Sequence, residues 1–277
     1  MILINRMALF GAWVYEALDR CGRASLFTLA TLRAIVVGAG PRGRFRLLLP
    51  QLYTIGTRSV PVIVLVGTFV GAVLGVESFK QFQALGQEAR LGAVINLSVV
   101  KQIGPVLAAV MIAGRVGGSV AAELGTMRVT EQVDALRVMG ADPVAYLAAP
   151  RVLACLIMLP VLTVISDLFG IFGGYLIVVV SLGVEPGQYW DYSADFVKPW
   201  DVSTGIIKSF FFGGAIGVIS CWKGFHCNAG AAGVGKAATD AFVTSFIAII
   251  VINFVLAQFL SDLYVAVYGD GITSLIG

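Results

Sequence analysis

Charge is scarce in this sequence. Only 13% of its residues are Asp, Glu, Lys or Arg, against about a quarter in soluble domains. Its one histidine, His226, excludes an HExxH site, which needs two. The four cysteines, Cys21, Cys155, Cys221 and Cys227, have no framework spacing. Cys155 and Cys221 fall in apolar helices and read as inert core thiols. His226 with Cys221 and Cys227 lacks a fourth ligand, so no metal is expected. A net charge of +3 gives no general affinity for nucleic acid. The first residues lack the charged start, apolar run and small-residue cleavage site of a signal peptide. The stretch GAAGVGKA (230–237) nearly spells a phosphate-binding loop. It ends in Ala237, without the hydroxyl that ligands Mg²⁺, and follows a membrane helix rather than a strand. It reads as part of a flexible cytoplasmic turn, 223–238. No cofactor is expected.

What is present is apolar. The chain is 58% hydrophobic, with a mean hydropathy of +0.91. This predicts an all-α integral membrane protein. Residues 59–76 carry no charge and suffice to span at ~1.5 Å per residue. Gly67, Gly71 and Gly75 recur every fourth position there, a face that admits close helix packing. Further spans are expected at about 93–121, 150–182, 203–222 and 241–261, five in all. Residues 1–50 form a separate segment with no apolar run of 18 residues. Over 7–36 they read as an amphipathic helix in the membrane interface, arginines toward headgroups. The five-span remainder is 51–277. Residues 183–201 read as a polar loop with interfacial Tyr189, Trp190, Tyr192 and Trp200.

Basic residues orient the chain. Segments 1–58, 123–151 and 223–240 hold eight, three and two Lys or Arg; the opposite side holds Lys80, Arg90 and Lys198. The N-terminus is therefore expected in the cytoplasm and the C-terminus outside.

Between spans two and three lies a short amphipathic segment, 131–139. Thr130 is its expected N-cap. Glu131 and Asp134 sit early and Arg137 late, as the helix dipole favours. Val133, Leu136 and Met139 share a face with no evident partner in so short a loop. Gly140 stops the helix, and Asp142-Pro143 prevents its resumption. The plain alternative is a capped surface helix. The second span is interrupted by Lys101 and, near its end, Arg115; the charges that qualify as lying inside spans are Lys101, Asp167 and Lys208. Such charges are costly and point to function, the alternative being a buried pair of Asp167 with a lysine.

The run AGRVGGSVAAELGTMRVTEQVDALRVMGADPVAYLAAPRVLA closely resembles the signature of the MlaE/YrbE permease family, the membrane subunits of bacterial lipid ABC transporters. The resemblance extends from about Gln51 to Tyr268. It implies a permease moving phospholipids between the inner and outer membranes, without catalytic residues, in the bacterial inner membrane. It also implies a homodimer with an outward-facing lipid cavity. The expected partners are a cytoplasmic ATPase, a periplasmic MCE-domain protein, often a STAS-domain protein, and phospholipid. The lipid-binding set is Leu74, Phe79, Lys101, Gln102 and Lys208. The ATPase-coupling set is Glu131, Val133, Asp134, Leu136, Arg137 and Met139. One departure stands out: the family usually has Glu where this chain has Gln102. The rival readings are a non-transporting scaffold for a periplasmic ring and an ion-coupled secondary transporter.

Overall fold

The computed structural model describes residues 2–37 and 41–269, and among these it is built from helices and turns alone. Five helical stretches are long and apolar enough to cross a membrane: Arg46–Ala84, Glu88–Val129, Val144–Ser181, Pro199–Phe225 and Ala231–Val267. Each overlaps one span expected from the sequence; four extend past both expected ends, and the third begins earlier but stops at Ser181.

α1 (Ile2–Val37) precedes α2 (Pro41–Ile55), which a single tight turn joins to α3 (Val60–Ala84). Span two is one rod of three α-helices, α4 (Leu91–Ser98), α5 (Gly104–Ile112) and α6 (Gly118–Val129). Wider π turns, Val99–Ile103 and Ala113–Gly117, join them. Two of its charges, Lys101 and Arg115, lie in those π turns. α7 (Gln132–Val138) follows, then α8 (Ala149–Tyr175), α9 (Pro186–Phe196), α10 (Pro199–Phe225) and α11 (Ala231–Tyr268).

In a bilayer, lipid tails are as apolar as side chains, so helices associate through close van der Waals packing. Glycine supplies it here. Gly67 and Gly71 of α3 lie against the backbone of Ser166 and Gly170 of α8, and a Cβ on Gly67 would stand 2.8 Å from the Ser166 carbonyl. Gly173 of α8 returns the contact against Thr68. Gly75 meets the Val178 side chain. α10 seats Gly213 and Gly217 on α8, and Gly224 on α6. The main core gathers Ile55, Ile63, Ile112, Leu124, Leu159, Phe212 and Ile216. A smaller one holds Leu91, Ile95, Val99, Val178 and Tyr189.

Two expectations change here. The polar loop contains a helix, α9. Only Tyr189 and Ser193, one turn apart, are buried from it. The Tyr189 hydroxyl donates to Asn96 Oδ1 (3.1 Å), and Asn96 Nδ2 donates to Ser193 Oγ (2.9 Å). Burial pushes the Tyr189 phenol up to about 12, so it stays a donor. The glycine-rich turn is shorter than expected. The chain reverses over 226–230, where Gly230 takes φ +84°, and GAAGVGKA winds into the start of α11.

The segment after span two also differs in detail. Thr130 does not cap α7; its hydroxyl donates to Thr126 O (2.9 Å), within the end of α6. Glu131, at φ +59°, makes the turn instead, and its carbonyl accepts from the amides of Asp134 and Ala135. Nor is the apolar face without a partner. Val133 is 1% exposed in the main core and Leu136 packs against that core, whereas Met139 is 72% exposed. Gly140, at φ +78°, ends the helix as expected.

Candidate lipid-binding cavity

α10 places Asp201, Thr204 and Lys208 on one face at i, i+3 and i+7. The π turn Val99–Ile103 faces them with Lys101 and Gln102. Gly205 lets the two backbones approach, since a Cβ there would run into the Val100 carbonyl oxygen. Together they line a cavity of about 780 Å³, walled further by Phe196, Trp200 and Leu260. This is within the ~300–1,000 Å³ range of small-ligand sites.

The cations are held differently. Lys208 is 1% exposed. Its ammonium donates to Gln102 Oε1 (2.6 Å) and to the Lys101 carbonyl (3.2 Å), both neutral acceptors. The Lys101 ammonium pairs with Asp201 Oδ1 at 3.0 Å, with its side chain 49% exposed. Asp201 Oδ2 also accepts from the Lys198 amide (3.1 Å), so this carboxylate caps α10 as well. Three lysines and two aspartates line the cavity, leaving a net positive wall. The buried hydroxyl of Thr204 has no hydrogen-bond partner among the described residues. A net positive wall, with a buried cation on neutral acceptors and an unpartnered hydroxyl, suits a singly charged, oxygen-rich anion.

The structure brings together Lys101, Gln102 and Lys208 but not the whole expected set. Leu74 and Phe79 pack on the smaller core beside Tyr175. Asp167 pairs with neither lysine; its carboxyl is buried against Gly104 of α5, and Oδ1 has no partner among the described residues. Asp201 and Thr204 were missed from the sequence, because Asp201 reads as a loop acid and Thr204 as an ordinary span residue. The i, i+3, i+7 spacing to Lys208 was the available signal.

A family model described as Permease MlaE matches residues 48–259. A probable ABC transporter permease protein of Rickettsia bellii is 39% identical over 257 residues, covering 93% of this chain and 98% of that protein. One from Synechocystis is 41% identical over 209 residues, 76% of this chain and 80% of that protein. The intermembrane phospholipid transport system permease protein MlaE of Haemophilus influenzae is 32% identical over 256 residues, 92% of this chain and 97% of that protein.

Proposed function

The chain belongs to the MlaE permease family, and from that premise we propose that it is the membrane subunit of an ATP-driven phospholipid transporter whose cargo headgroup sits in the Lys101–Lys208 cavity. The observation that carries this reading is Lys208, a buried cation whose acceptors are both neutral. Burying a charge costs several kcal/mol unless it is compensated. A lipid phosphodiester would compensate it, with Lys101 and the Thr204 hydroxyl as further donors. Gln102 matters because a carboxylate there would neutralise Lys208 and repel phosphate.

The working unit in this reading is a homodimer in the bacterial inner membrane, N-terminus in the cytoplasm and C-terminus in the periplasm. Its cavity opens outward to an MCE-domain protein. α1 lies in the interface, with Leu18, Leu26 and Leu29 exposed toward acyl chains. A separate ATPase hydrolyses ATP, accompanied in many such systems by a STAS-domain protein. α7 is its docking element. Glu131, Asp134 and Arg137 form a polar rim, and the exposed apolar anchors are Val138 and Met139. Val133 and Leu136 tie α7 to the main core. Movement of α7 thereby reaches span two, whose π turn carries Lys101.

Purified wild type and a Lys101→Ala/Lys208→Ala variant should differ in bound phospholipid, measured by mass spectrometry of extracts. Charge-assisted hydrogen bonds contribute about 1.5–3 kcal/mol each, so retention should fall roughly tenfold or more. Equal lipid content would make both lysines structural.

A further inference from the structure

A second charged cavity lies at the other end of α10. Lys208 and Lys223 are fifteen positions apart on that helix, about 22 Å at 1.5 Å per residue. The two cavities therefore open at opposite membrane faces, and they share no lining residue. The second is about 300 Å³ and is bounded by three elements: Arg23 from α1, Trp222 and Lys223 from α10, and Lys236 and Asp240 from α11. Arg23 is already paired with Asp19 at 2.7 Å. Lys223 and Lys236 make no ion pair among the described residues. Asp240 is the one carboxylate in the wall, so the lining remains positive.

We propose that this cavity binds the phosphate of an anionic membrane lipid, as a site separate from the transported cargo. Three observations favour a lipid over a soluble anion or a protein carboxylate. The cavity sits where the α10 span ends, and Trp222 stands in its wall at the depth where membrane aromatics gather. α1 contributes Arg23 to the lining, and Leu26 and Leu29, three and six residues further along the same helix, are exposed and available to acyl chains. α1 is held there by Phe27, whose ring meets Trp222 at 5.4 Å and Phe225 at 5.8 Å. A phosphate bridging Arg23 to the lysines therefore clamps α1 onto α10. The His226 ring lies 3.7 Å from that of Trp222, and its pKa is lowered chiefly by partial desolvation, against a hydrogen bond to the Trp222 carbonyl, with the fields of Arg128 and Arg23 adding to the lowering. An anion in the cavity would offset those two fields. Basic pockets between spans and juxtamembrane lysines bind lipid phosphates by this chemistry.

The test uses the full-length protein in nanodiscs of equal phosphatidylglycerol and phosphatidylcholine. Retained lipids are counted by mass spectrometry after purification, with size-exclusion profiles confirming fold. Removing a lysine charge should lower the phosphatidylglycerol preference about fivefold per residue. Lys223→Gln/Lys236→Gln should therefore nearly erase it, and Lys223→Arg/Lys236→Arg should keep it. Should the double glutamine variant not purify, Lys236→Gln alone carries the test, since that side chain is exposed. The Lys101→Ala/Lys208→Ala variant should keep this preference, which separates the present site from the cargo cavity. An unchanged preference in the glutamine variants overturns the proposal. So does displacement of it by millimolar inorganic phosphate, which would mark a soluble-anion site. Loss of the ATPase with preference intact overturns it too, by identifying a protein contact.

Discussion

At the scale of single residues, the site turns on how two lysines are neutralised. Lys101 has a carboxylate and Lys208 has an amide and a carbonyl. Gln102→Glu should therefore act in a definite direction. It would pair Lys208 at hydrogen-bond distance, and co-purified phospholipid should fall with no loss of folded protein. An increase in bound lipid would show that Lys208 does not hold phosphate. Both lysines were visible in the sequence because a charge inside an apolar run is conspicuous. Their separate roles were not. Which one finds Asp201 depends on the π turn and on Gly205 letting α10 approach, and neither is a property of local composition.

At the scale of elements, helices and their glycine faces were legible, while the irregular turns were not. The Gly67-Gly71-Gly75 face does meet a helix, α8. Gly71→Leu drives a side chain into the Gly170 carbonyl, and overpacking of this kind costs about 1–3 kcal/mol. The thermal unfolding temperature in detergent should drop, and membrane yield with it; an unchanged unfolding temperature would mean that α3 and α8 can separate freely. α9 escaped detection because two inward residues leave almost no periodic signal. The π turns escaped because nothing in the residues VVKQI or AGRVG distinguishes them from α-helix. α7 was legible as a helix, but its buried face was misjudged: Val133 belongs to the core. Docking is therefore tested at its tip. Met139→Asp should leave the protein folded and reduce ATPase recovered on affinity purification, losing up to ~1.5–3 kcal/mol of apolar burial. Full ATPase recovery would remove α7 from the docking surface. Leu136→Asp is the poorer probe, because it also disturbs packing on the main core.

For the whole molecule, five spans and a basic-residue bias set the orientation expected in the membrane. Asp195→Cys and Ala232→Cys, each in a background with Cys21 and Cys227 replaced by Ser, give the check. Residue 195 should react with an impermeant thiol reagent outside intact cells, and residue 232 should react only after lysis. The reverse pattern would invert the protein and put the Lys101–Lys208 cavity at the cytoplasmic face.

The most direct measurement is phospholipid transfer itself. The permease, reconstituted in liposomes with the proposed ATPase and periplasmic MCE-domain protein, should move labelled phospholipid only when ATP is hydrolysed. The Lys101→Ala/Lys208→Ala variant, assembled equally well, should transfer at a small fraction of the wild-type rate. Transfer by that variant at the wild-type rate, or transfer by the wild type without ATP, would contradict the account.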